Sequence, residues 1–431
     1  MLLIYTHKIT PRFSYTMKHI FTRTLGIDVT FTTKVEDFIK HSGAKVTYTK
    51  QPLQNEFFIR SNDLLFEQGI NDIQISVSDW EGVPCFFTAG ERSTIPFDIF
   101  SASFYLLSRY EEYLPHVKDM HGRFPPKESI AYQNGFLQQP VVDIWAFKLL
   151  AKLKERFPNL EFKKRAYKYT SVMDVTTSHG FAHRGFTRSV AGLLYDLGSF
   201  KLRRVGRRIG VWFNPKKDPF DNYGYLINLH KKFTVKSMFF FQFASYSTYD
   251  KNLSPNNNRF KFLIKSIADY STVALAASYS SFEDIILLKN EKKRLSDVIN
   301  RDVTSSRMRY NRVDVPNTYR NLVDAEFTDD YTMGYTHEIG FRAGTCTPFY
   351  FYDINLELQQ PIRVHPFAFH DYALVSMASK EEISQKISAL YQRVKNVNGD
   401  FTSVFSIELL GGQKSRDWKI LYESVLSEFH V

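Results

Sequence analysis

From residue 168 to the C-terminus, strand-like and helix-like segments alternate, and this alternation limits the possible folds more than any other feature of the chain. The runs "YTSVMDV", "VKSMFFFQFA", "STVALAAS", "VTSSRMRY", "EFTDDYTMG", "IRVHPFAFHD" and "FTSVFSI" are short, apolar or β-branched, and suited to strands. Most are followed by stretches whose apolar residues recur at three and four positions, among them "RFKFLIKSIADY", "LLKNEKKRLSDVI", "EEISQKISALYQRV" and "SRDWKILYESVLSEF". Strands separated by helices need parallel connections, so the pattern predicts an α/β fold of roughly seven strands in a closed or nearly closed βα barrel. Chemistry in such barrels gathers at the C-terminal ends of the strands.

The region before this alternation reads differently. Short strand-like runs ("DVTFTT", "KVTYT", "EFFIRS", "IQISVS", "PCFF") precede a helix beginning near Phe97, with Phe100, Phe104 and Leu107 on one face. A second helical pattern, "VDIWAFKLLAKLKERF", ends before Pro158, which cannot easily continue it. A boundary is therefore expected near residue 165, between an α+β domain over 1–165 and the barrel over 166–431. A chain of 431 residues, 43% hydrophobic and 16% aromatic, can bury cores of that size. The longest apolar stretches are shorter than the roughly 20 residues that span a bilayer. The N-terminus also lacks the basic start and cleavage site of a signal peptide, so a cytoplasmic location is expected. Cys85 and Cys346 are too few and too distant for a disulfide framework or zinc motif, and are read as buried free thiols.

The formal net charge of +11 favours anionic partners. Much of it is concentrated in "KLRRVGRRIGVWFNPKK", where Arg203, Arg204, Arg207 and Arg208 alternate with Leu202, Val205 and Ile209 at helical spacing. Such a basic amphipathic helix is either a solvated face docked through its apolar side or a contact for an anionic membrane or polymer. No nucleic-acid motif is present, and nucleic acid is not an expected partner.

Candidate chemical residues at strand ends are Asp174, Arg307, Asp371, His179, His183, His365 and His370. The chain carries no HExxH, CxxC pair, GxSxG elbow or phosphate-binding glycine loop, so zincin, serine-hydrolase and P-loop readings have no support.

Residues 169–431 resemble the NodB-type polysaccharide deacetylase family, and within it a bacterial subgroup with its own N-terminal domain of unknown function. The strings that carry the resemblance are "PFDIFSASFYLLSRYEEYLPHVKD", "HGRFP", "PVVDIW", "PNTYRNLVDAEFTDDYTMGY", "GFRAGTCTPFYFYD" and "HPFAFHD". The resemblance implies a distorted seven-stranded βα barrel that removes acetyl groups from N-acetylated sugars with a divalent metal. It also implies roles by position. Asp174 falls on the general base, but the metal-ligating carboxylate two residues on is Thr176. A ligand histidine is Ala276, with Ser278 and Tyr279 retained beyond it. Arg307 falls on the arginine that orients the base, Arg309 replaces a histidine, and the general-acid histidine is Ser406.

Hydrolysis of this kind needs a cation held by about three protein ligands, which brings bound water to a pKa near 7. Threonine and alanine cannot replace a carboxylate and an imidazole. Asp174 as a lone base supplies at most roughly 100 to 10,000-fold. The sequence therefore predicts a deacetylase-like pseudoenzyme of carbohydrate metabolism, needing no cofactor, that binds a glycan, an envelope precursor or a partner enzyme. Tyr279, Tyr350 and Tyr352 are candidates for stacking on sugar rings. Two alternatives stand beside this reading. One is an active carbohydrate deacetylase whose zinc is displaced onto His179 and His183. The other is a basic scaffold peripheral to the inner membrane, bound through Arg203, Arg204, Arg207 and Arg208.

Overall fold

The computed structural model describes residues 1–412 and 414–430. Four short strands, β1 (Leu2–Tyr5), β2 (Val29–Thr32), β3 (Lys45–Thr49) and β4 (Phe57–Arg60), form a sheet in the order β2-β1-β3-β4, with every pair parallel. A hairpin, β5 (Val77–Trp80) with β6 (Val83–Phe86), follows, and then the helices Ile99–Leu107 and Val141–Arg156. The expected α+β arrangement is corrected here to a parallel α/β sheet. The reason is β1: its four residues are too short to show a period, yet it pairs on both sides and fixes the parallel direction of its neighbours.

The larger sheet contains β7 (Lys168–Val175), β8 (Lys236–Phe241), β9 (Thr272–Ala277), β10 (Ser305–Met308), β11 (Asp329–Asp330), β12 (Phe349–Asp353), β13 (Leu358–Val364), β14 (Phe369–His370) and β15 (Asp400–Ser406). Its order is β12-β13-β11-β10-β9-β8-β7-β15-β14, with all pairings parallel except β12 with β13. Nine strands replace the seven expected, for two reasons. The aromatic run "FYFYD" forms the antiparallel edge strand β12, and the single predicted run "IRVHPFAFHD" divides into β13 and β14. Between them the chain bonds to both flanks: His365 N–H donates to Asp330 O, and Ala368 N–H to Thr402 O, each at 2.8 Å.

The strands are apolar on both faces because both faces are covered, as parallel sheets require. In β8, Met238 and Phe240 enter a small inner cluster with Val172, Ala276 and Val404, whereas Phe239 and Phe241 enter the large core outside it. Each buried phenylalanine contributes roughly 2–3 kcal/mol. The large core runs without interruption from Leu2 to Phe429, so the two predicted domains share it.

Buried charge also joins them. Glu112 accepts from Arg109 Nε at 2.8 Å and from Arg342 Nε and Nη2 at 2.8 and 2.6 Å. Asp143 accepts from Arg165 at 2.9 Å, from the Thr345 hydroxyl at 2.7 Å and from the Cys346 amide at 3.0 Å. Cys85 and Cys346 are both buried and unpaired, as the sequence suggested. No helix among the described residues is long and apolar enough to cross a membrane.

Candidate functional site

Parallel register brings a polar group together at the C-terminal ends of the central strands. Asp174 is opposite Ser406 of β15 and Phe240 of β8, and Arg307 is opposite Ala276 of β9. Alternation along β7 sends Val172 into the inner cluster and carries Asp174 to the end of the same face. Arg307 Nε lies 3.6 Å from Asp174 Oδ2, and His370 Nε2 lies 3.7 Å from the same oxygen. On its other side, His370 Nδ1 is 2.7 Å from Asp371 Oδ1. Asp371 Oδ2 in turn accepts from the Ser406 amide at 2.6 Å and its hydroxyl at 2.7 Å. Four sequence candidates, Asp174, Arg307, His370 and Asp371, thus converge, with Ser406 fixed beneath them.

The electrostatics follow from this packing. Burial alone would raise the Asp174 carboxyl, but His370 and Arg307 outweigh it and hold it below the usual carboxylate range. Burial pulls the His370 imidazole down, but Asp371 and Asp174 overcome that and raise it above its ordinary value. The buried Arg307 guanidinium is lowered by desolvation, despite Asp174. The result is an imidazole held between two carboxylates, beside a guanidinium. It can orient a polar ligand and exchange a proton with it.

Glu408 was not anticipated. It stands two residues beyond Ser406 in "FSIEL", and the Thr176 hydroxyl donates to its Oε1 at 2.5 Å. Its other oxygen has no partner among the described residues, and burial raises its carboxyl despite that hydrogen bond. Thr176 is therefore committed to a neighbouring side chain, and the Ala276 methyl belongs to the inner apolar cluster. Among the described residues no group of three or more His, Cys, Asp and Glu is placed to hold a metal ion. The residues at these positions do not fit the divalent metal that the deacetylase resemblance implies.

The displaced site is not assembled either. His179 and His183 face each other with ring centroids 5.2 Å apart, but Asp174 is paired with Arg307 and His370 instead. Burial lowers His179 to about 4. Nearby, Asp218 accepts from the amides of Gly180, Phe181 and Ala182 at 2.7 to 2.8 Å and so holds this loop. His365 lies at the opposite ends of the strands, 2.7 Å from Asp329, in a cavity of about 550 Å³ that Lys168, Lys236 and Asp400 also line.

An aromatic rim stands beside the polar cluster. Tyr279 stacks on Tyr249 with centroids 4.0 Å apart, and Tyr310 meets Tyr279 edge-on at 5.7 Å. His121, from the N-terminal segment, stacks on Tyr310 at 4.8 Å. Asp250 fixes this arrangement by accepting from the Tyr279 amide at 3.1 Å and the Ser247 hydroxyl at 2.9 Å. Tyr310 and Asn311 both have left-handed backbones, with φ of 59° and 54°, an uncommon conformation for such residues. Arg123 holds the turn by donating to Tyr310 O at 2.7 Å. Arg309 links rim and cluster: its guanidinium lies 4.4 Å from the Tyr310 ring centre, and its charge helps to lower Asp174.

Two glycan candidates lie elsewhere. Tyr352 is fully buried, with its ring packed on Tyr15 and Phe104 and its hydroxyl bonded to Glu357. Tyr350 lies under the Arg23 guanidinium at 4.6 Å. Both belong to β12, whose side chains pack against the N-terminal segment, so these rings meet protein. Of the basic stretch, Arg208 is also relocated. It is buried and donates to Asp196 at 2.7 Å, whereas Arg203, Arg204 and Arg207 are exposed.

The fold and site thus define a mixed α/β protein with parallel sheets and an acid–imidazole–guanidinium cluster at the strand ends. Residues 2–158 match the model of a family of unknown function, DUF7033. No curated protein matches the chain. The chain is similar to a presumed polysaccharide deacetylase from Mycobacterium smegmatis, at 11% identity and a TM-score of 0.39 over 62% of this chain and 87% of that one. It is also similar to the PuuE allantoinase, at 11% identity and 0.38 over 74% and 93%. A third similar structure is the 4-alpha-glucanotransferase of Thermococcus litoralis, at 12% and 0.36 over 62% and 37%.

Proposed function

We propose that this chain is a polysaccharide-deacetylase-like protein that binds a glycan or sugar precursor and does not carry out metal-dependent deacetylation. The observation that carries the proposal is the Thr176 hydroxyl donating to Glu408, where the family pattern has a metal-ligating carboxylate. Without a cation to polarise the amide and acidify water, the remaining base and imidazole fall far short of what amide hydrolysis requires. The bonds of residues 365–368 to both β11 and β15 support a ring of seven members, with β13 and β14 as one broken strand. Tyr249, Tyr279 and Tyr310 supply apolar faces beside charged groups, which suits a sugar ring.

Titration calorimetry with tetra-N-acetylchitotetraose, alongside an acetate-release assay in added zinc, tests the reading. Binding without acetate release is the expected result. Removing one stacking face by Tyr249→Ala should weaken binding by about 1 kcal/mol, roughly fivefold. Acetate release that depends on zinc and is abolished by Asp174→Asn would overturn the proposal and make the chain an enzyme.

A further inference from the structure

The crossover from β7 to β8 contains two adjoining helices, Phe186–Gly198 and Leu202–Phe213, turned inside out. On the first, Phe186, Val190, Leu193, Leu194 and Leu197 share one face at helical spacing, of which Phe186, Leu194 and Leu197 are exposed and Val190 and Leu193 half-buried. The residues it buries are Ser189 and Asp196. On the second, Leu202, Ile209, Trp212 and Phe213 form an exposed apolar stripe, whereas Arg208 is one of the two buried residues. Phe200, at the bend between the helices, is 88% exposed, as is Phe213. Single exposed apolar residues are ordinary, but a continuous stripe over two neighbouring helices requires a partner.

Charge identifies that partner. Lys201, Arg203, Arg204, Arg207, Lys216 and Lys217 are all exposed around the stripe. The one acidic residue between 186 and 217 is Asp196, which is buried and bonded to Arg208, so the ion pair joins the helices and leaves the outer surface cationic. A second copy would set these cations against themselves. Nucleic acid would meet the cations and leave the phenylalanines and leucines in water. An anionic bilayer satisfies both, with apolar side chains at the acyl boundary and cations among the headgroups.

We infer that the 186–213 hairpin docks the protein on an anionic lipid surface. The test is flotation of the full chain with vesicles of phosphatidylglycerol and phosphatidylcholine in equal parts, and with phosphatidylcholine alone, at 50 and 500 mM salt. Binding to the anionic vesicles, weakened by salt, is expected, with little binding to the neutral ones. The combined K201Q, R203Q and R207Q variant removes three exposed cations and should lose roughly 100-fold in vesicle affinity. The F200S and F213S pair should lose binding at both salt concentrations. These side chains are exposed, and a thermal melt matching the wild type confirms that the fold is kept. No binding to anionic vesicles at low salt overturns the inference, as does binding unchanged in both variants. Concentration-dependent dimers lost in F200S and F213S, without vesicle binding, would assign the stripe to self-association.

Discussion

Glu112→Ala is expected to lower the unfolding free energy by about 3–5 kcal/mol, the cost of removing one partner from a buried ion network. Glu112 is 6% exposed and receives three charged hydrogen bonds, one from Arg109 and two from Arg342. Its removal leaves Arg342 buried without the one ion-pair partner it has among the described residues, while Arg109 keeps Glu111 at 2.6 Å. The alternative neutral change, Glu112→Gln, keeps the volume and one acceptor oxygen, and should be intermediate. Urea denaturation of the three proteins measures the order. Equal stabilities would show that the network is not desolvated as described. The effect should be global, because the pair joins the N-terminal segment to the part of the chain that carries the larger sheet, through a shared core.

The second large effect is a pH dependence. His19 is fully buried, neither ring nitrogen has a partner among the described residues, and burial lowers it to about 3. Because the unfolded histidine titrates near 6.5, the unfolded state binds more protons between pH 6.5 and about 3. Stability from this residue is therefore complete above pH 6.5 and falls as the solution is acidified, by about 1.4 kcal/mol per pH unit. His19→Leu should reduce the loss between pH 8 and pH 5 by about 2 kcal/mol. A buried carboxyl whose pKa is raised acts with the opposite sign. Burial raises Glu291 to about 7, so its proton leaves the folded state later than the unfolded one, and stability falls as pH rises above about 4.5. Glu291→Gln should accordingly raise stability at pH 8 by up to about 3 kcal/mol. The wild-type profile sums these contributions with those of the other buried titratable groups, so the single variants are the informative measurements. A His19→Leu curve parallel to the wild type would contradict the burial argument.

Much of this molecule can be read from its sequence because its signals are periodic. The strands of the second half and the helices after them follow from apolar spacing, and Asp174 meets Arg307 because strand ends set both at one level. What escaped reading came from partners distant in sequence or from the direction of a face. Glu408 and His121 reach the site from a helix start and a turn, where no period marks them. The "FYFYD" run gave aromatic content but not its neighbours, and β12 turns Tyr352 into the interface with Tyr15 and Phe104. The stretch containing Arg208 shows a strong division into apolar and basic faces. Helical spacing reveals such a division without saying which face is buried, and here the buried one contains an arginine.

The turn at Asp119–Arg123 bears on modular engineering. Asp119 accepts from the amides of His121 and Arg123 at 2.9 and 3.0 Å, and Arg312, just beyond β10, donates to His121 O at 2.9 Å. One wall of the aromatic rim therefore belongs to the first third of the chain. A graft that exchanges only residues 166–431 would transfer an incomplete aromatic rim, so residues 119–123 have to travel with it.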